Sequence, residues 1–239
     1  MVLKNQEVFD MKNIIFDSGP IISLTTTNLL LILEELKKKF NGTFAMTIGV
    51  KRELVDRPLE TLRFKFEALQ VQSLIEKGVL NVINDDAVTK KAQELLNLAN
   101  SILSGHGQNI KIVQIGELET LAAAILFKAD AIVVDERITR TLLENPQGLH
   151  LLMEKRLHMQ LKVNEQALHQ FEEATRHITV LRSIELVTIA YELGLLDKFV
   201  VNIPNARREL LESTLWGVKL NGCSVTDDEI ATIVKTEKL

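Results

Sequence analysis

The chain has 239 residues, of which 46% are apolar and 25% charged, and a net charge of −4. This balance suits a folded domain with a substantial core and provides no global attraction to nucleic acid, although a local basic patch remains compatible with it. One cysteine, Cys223, excludes an internal disulfide and a cysteine-rich zinc site. No signal-like segment or membrane-length apolar run is visible, so a soluble, cytoplasmic protein without a membrane partner is expected.

Residues 1–10 read as an N-terminal extension, because Met11 is followed at once by a strand over Asn13–Asp17. Ser18-Gly19-Pro20 then opens a helix that the Leu-rich stretch carries to Lys37–Lys39. Asn41-Gly42 turns the chain into a second strand at Thr43–Met46, and Thr47 caps a helix that carries Glu53 and stops before Pro58. A helix over 60–77 ends at Gly78, and Val79–Ile83 forms a third, edge-like strand. Asp85-Asp86 opens a helix to about Leu103, and residues 104–108 (Ser-Gly-His-Gly-Gln) read as a flexible loop. Glu117–Lys128 is an Ala-rich helix, and Ala131–Val134 is a continuous apolar strand of the kind buried in a parallel sheet.

Strands alternating with helices indicate an α/β fold with a parallel sheet over residues 11–145. Residues 146–239 hold amphipathic helical stretches and few convincing strands, and read as a C-terminal helical extension. Breaks fall near Gly194 and Asn202–Pro204, and Thr226 with Glu229 makes a capping box for the last helix.

Four carboxylates stand out by position. Asp17 and Asp135 each end an apolar strand, where open α/β sheets place their ligands. Glu117 begins a helix and Glu53 lies within one. Brought to one sheet edge, these acids would make an oxygen-rich site for Mg²⁺ or Mn²⁺. Each also has a plainer reading: Asp17 as a helix cap, Glu117 as a favourable charge at a helix start, and Glu53 as a solvated helix residue. Arg137 and Arg140 share a helix face and suit either phosphates or salt bridges to Glu136 and Glu144. The histidines form no close pair at metal-ligand spacing.

The segments FDSGPIISL, VKREL and GELETLAAAILFKADAIVVDERITR together resemble the PIN-domain nucleases, closest to stand-alone archaeal members. The resemblance covers about Met11 to Asn145 and implies a three-layer αβα fold around a central parallel sheet. It also implies a metal-dependent endoribonuclease. Its Mg²⁺ or Mn²⁺ ligands and catalytic acids would be Asp17, Glu53, Glu117 and Asp135, with Ser18 and Glu119 as secondary candidates and Arg137 and Arg140 on the substrate. RNA is the implied substrate, single-stranded or structured. Family habit and the apolar C-terminal half point to a homodimer, and a further protein partner is compatible. Val133-Val134-Asp135 departs from the Thr-x-Asp common in the toxin branch. The alternatives are a non-catalytic RNA- or protein-binding module of the same fold and, more weakly, a metal-dependent phosphatase of small molecules.

Overall fold

The structure is a computed structural model that describes residues 13–237; the expected N-terminal extension lies outside the described residues. The strands are β1 (Asn13–Phe16), β2 (Thr43–Thr47), β3 (Asn81–Ile83), β4 (Leu103–Gly105), β5 (Gln108–Asn109), β6 (Ala131–Val133), β7 (Lys162–Val163) and β8 (Thr179–Leu181). Five of them form one parallel sheet in the order β3-β2-β1-β6-β8. The other three make a small antiparallel sheet, β5-β4-β7.

Strands β1 and β6 are apolar apart from Asn13 because both faces of the sheet are covered. Alternate residues enter different cores, as a repeat of two requires. Ile14, Phe16, Ala131 and Val133 join helices Ser18–Thr26, Ser183–Glu192, Ala206–Leu220 and Asp227–Thr236 on one face. Ile15, Ile132 and Val134 join helices Asp86–Ala99, Ile115–Leu126 and Glu165–Thr175 on the other. Complete burial of a side chain such as Phe16 contributes roughly 1.5–3 kcal/mol. The result is an α/β protein with a central five-stranded parallel sheet flanked by helices.

The long helix expected from Ser18 to Lys39 is two helices, Ser18–Thr26 and Ile32–Lys39. The Thr25, Thr26 and Thr27 hydroxyls each donate back to a carbonyl four residues earlier, and Asn28 adopts a left-handed φ of 60°. Hydroxyls bonded in this way weaken a helix end, and Asn is one of the few residues that accepts that backbone region. The helix after β2 does not stop before Pro58. It runs as Ile48–Lys51, a π-helical turn Arg52–Asp56, and Arg57–Leu59. The wider turn changes the hydrogen-bond register just where proline has no N–H to donate.

The next expected helix ends at Ala99 rather than near Leu103, and the supposed loop at 104–108 is a β4–β5 hairpin. His106 and Gly107 form its two-residue turn, with φ of 50° and 78°. Positive φ at both central residues matches the right-handed twist of a hairpin.

The described part of the expected extension, residues 146–237, does not stand apart from the sheet. They provide β8, which pairs with β6 from Ala131↔Thr179 to Val133↔Leu181, and Leu181, Ile184, Leu211, Leu215 and Ile233 lie in the same core as Ile14 and Phe16. β8 is as short as β6 but only Leu181 of its residues is buried, against all three in β6, so it lacks a fully buried run and is hidden among the surrounding helical patterns. Among the described residues no helix is long and apolar enough to cross a membrane.

Candidate acidic site at the carboxyl edge of the sheet

The sheet order reverses direction between β1 and β6, and the carboxyl ends of these neighbours form its switch point. Asp17 lies one residue beyond β1, with its amide donating to the Val133 carbonyl at 3.0 Å. It occupies the N-cap position of helix Ser18–Thr26 but makes no capping hydrogen bond through its side chain. The plainer reading of Asp17 holds only in part: the Ser18 and Gly19 amides favour its charged form, but burial outweighs them.

That carboxylate is 9% exposed, and its one direct side-chain partner is the Thr120 hydroxyl, at 3.4 Å. Burial raises its pKa to about 7. The Ser18 and Gly19 amides offset part of the rise, while the charges of Glu53 and Glu117 add to it. No cation compensates Asp17 among these influences. A buried acid surrounded by other acids is costly as an anion and favours a cation or a proton beside it.

Glu117 lies in the first turn of helix Ile115–Leu126, half-buried, and its Oε2 accepts from the Gln114 amide at 3.1 Å and the Thr139 hydroxyl at 3.4 Å. Burial raises its pKa and the Gln114 amide opposes this; nearby Glu136 raises it further, against Thr139 and Lys111. Glu117 is thus partly committed to its own helix terminus, as its plainer reading expects. Glu119 points elsewhere, toward Gly49, where an added Cβ would stand 1.9 Å from its Oε2. Its pKa is raised by burial, with Arg52 opposing. Glu53 is exposed in the π-helical turn and lines a small apolar pocket of about 110 Å³ with Leu54, Phe64 and Val71. Ser18 is half-buried beside Asp17.

Asp135 has a different occupation. Its Oδ1 accepts from the Ser183 amide at 2.8 Å, and its Oδ2 accepts from the Ser23 and Ser183 hydroxyls, both at 2.7 Å. Its own carbonyl accepts from the Ser224 amide at 3.0 Å. Asp17 meets Thr120 in the helix on one face of the sheet, whereas Asp135 meets serines of helices on the other. Glu53 and Glu117 both act electrostatically on Asp17, and Gly19 lies between Asp17 and Asp135, where an added Cβ would stand 3.9 Å from Asp17 Oδ2 and 3.6 Å from Asp135 Cβ.

The expected four-carboxylate cage is therefore not assembled. Among the described residues, no group of three or more His, Cys, Asp or Glu is placed to hold a metal ion. A smaller site remains chemically reasonable, since Mg²⁺ retains waters and is commonly held by one or two carboxylates plus substrate phosphates. Asp17 fits that role, because it is buried with a raised pKa and, among the described residues, makes no ion pair, whereas the equally unpaired Asp135 is satisfied by three serine donors.

Arg140 pairs with Glu144 at 3.5 Å, in line with the salt-bridge alternative, while Arg137 is exposed at the start of its helix. Glu136 accepts from the Thr139 amide at 2.6 Å and caps that helix. Sequence reasoning passed over the four hydroxyls that touch the acids: Thr120 on Asp17, Thr139 on Glu117, and Ser23 and Ser183 on Asp135. Thr120 is three residues after Glu117 on the same helix, a spacing that shares a face and could have revealed it. In comparisons with protein-family models, curated proteins and solved structures, nothing matches this chain.

Proposed function

We propose that this protein is a divalent-metal-dependent endoribonuclease centred on Asp17, as the resemblance to PIN-domain nucleases suggests. The observation that carries the reading is the buried Asp17 carboxylate at the β1/β6 switch point, on which burial and the charges of Glu53 and Glu117 bear without an ion-pair partner among the described residues. Asp17 would anchor Mg²⁺ or Mn²⁺, with Glu53 and Glu117 strengthening the negative field around it. When bound, the cation supplies a polarised water and neutralises charge on the phosphodiester.

The chain's own residues then have defined tasks. Asp17, its carboxyl pushed up to about 7 by burial, releases its proton to water before it can hold the cation. Thr120 holds its Oδ1, and the Thr139 hydroxyl and Gln114 amide hold Glu117. Exposed Arg137 is available to a phosphate, while Asp135 maintains the backbone frame. A homodimer through the C-terminal half belongs to the same proposal, supported by the exposed apolar Leu151, Val201 and Leu220.

The test is cleavage of a labelled single-stranded RNA with Mn²⁺, Mg²⁺ or EDTA, comparing wild type with Asp17→Asn. The proposal expects cleavage that is abolished by EDTA and by the substitution. The second reading, a non-catalytic RNA- or protein-binding module, draws support from the unassembled metal cage and the engaged Asp135. Wild type that binds RNA and cuts it with neither metal would favour that reading.

A further inference from the structure

A cleft of about 290 Å³ opens beside Glu117, between residues 110–114, the start of helix Arg137–Glu144 and helix Pro146–Leu157. Its apolar floor is half-buried Ile110 and exposed Leu157, backed by buried Ile112, Ile138 and Met153. Its polar rim carries two acids, Glu117 and Glu136, and two cations, Lys111 and Arg156.

The charges are not equally available. Glu117 accepts from the Gln114 amide and Glu136 from the Thr139 amide, so both acids are drawn to helix termini, where a carboxylate is stabilised. Lys111 and Arg156 are exposed and make no ion pair within 4.0 Å among the described residues. Lys111 is nevertheless close enough to Glu117 to act on its ionisation, which joins the cleft electrically to the acidic site. An apolar floor beneath two uncommitted cations complements a flat, weakly polar group flanked by phosphates.

We propose that this cleft seats one nucleotide of an RNA strand, with Lys111 and Arg156 holding adjacent phosphates and Ile110 and Leu157 receiving the base. The inference rests on the nuclease reading for its substrate but concerns binding alone, so the two can fail separately. Arg156 belongs to the chain after residue 145, so the substrate surface extends beyond the segment that resembles the PIN family.

The test is fluorescence anisotropy of a labelled ten-nucleotide oligouridylate in EDTA, measured from 50 to 200 mM KCl. Wild type is compared with Lys111→Gln/Arg156→Gln and with Arg63→Gln/Lys90→Gln, a control that removes equal charge from exposed positions elsewhere. The expected result is at least tenfold weaker binding for the cleft variant, and a log–log salt slope shallower by about 1.4 from two lost phosphate contacts on a single strand. The control pair binds as wild type does. Equal affinity and slope for the cleft variant and wild type would overturn the proposal, as would undetectable wild-type binding at 50 mM KCl. Inorganic polyphosphate of matching charge should compete much less well than unlabelled oligouridylate; equal competition would overturn the base seat. Binding that depends on Lys111 and Arg156, without cleavage under any metal, would preserve this inference and defeat the nuclease reading.

Discussion

Asp17 combines position with an electrostatic cost. Its folded-state pKa of about 7 lies above the ordinary 3.8, so between those values the folded protein retains a proton that the unfolded chain releases. Stability should therefore fall as pH rises from about 4 to 7 and level off above. The penalty at pH 8 is roughly 4 kcal/mol at 1.36 kcal/mol per pH unit. Asp17→Asn is expected to stabilise the protein at pH 8 by up to that amount, with the gain shrinking toward zero at pH 4. Urea denaturation at the two pH values measures this; a pH-independent difference would show that the charge is not the cause. The same proton must leave before a cation binds, so Mn²⁺ affinity should fall about tenfold between pH 8 and pH 6. Asp17 was legible in the sequence because a strand-ending acid needs only local pattern. The engagement of Asp135 was not, since Ser23 and Ser183 are 112 and 48 residues away along the chain.

Among the secondary-structure elements, Asp135 works as a clasp. Through Ser23 it reaches helix Ser18–Thr26, through Ser183 helix Ser183–Glu192, and through its carbonyl the turn that contains Ser224. Ser23 also donates to the Asn221 carbonyl at 3.2 Å, so one polar cluster connects the sheet edge to the C-terminal helices. Cys223 packs there as well, buried, its thiol pushed up to about 12 by burial and by Asp135. Ser183→Ala removes one donor and leaves Asp135 underbonded in a buried position, which should cost about 1–3 kcal/mol. Thermal or urea unfolding would read this loss, while an unchanged midpoint would show that the clasp carries no net stability. Helix caps were the most readable features at this scale: Thr47 accepts from Val50, and Thr226 and Glu229 exchange capping bonds. Breaks arising from side-chain competition, such as that after Thr25–Thr27, lack so local a signature.

At the scale of the whole molecule, the C-terminal half completes the sheet and closes one core. Arg182, next to β8, pairs with Glu185 at 2.6 Å and Glu229 at 2.9 Å and donates to the Ser224 carbonyl at 3.2 Å, tying the final helix to that framework. A fragment ending at Asn145 would lack β8 and expose Ile14, Phe16 and Val133. It should show little cooperative unfolding, whereas a cooperatively folded fragment would restore the domain boundary suggested by the sequence. The parallel α/β arrangement was readable because four of its strands are separated by helices with clear starts. The boundary was misleading because the fifth strand has only Leu181 buried and follows a helical stretch.

The most direct measurement is electron paramagnetic resonance of Mn²⁺ titrated into the intact protein at pH 8, with wild type beside Asp17→Asn and Ser183→Ala. Loss of the free-ion signal with wild type and Ser183→Ala, and little loss with Asp17→Asn, is the predicted result. Equal uptake by wild type and Asp17→Asn, or none by wild type, would contradict an Asp17-centred cation site.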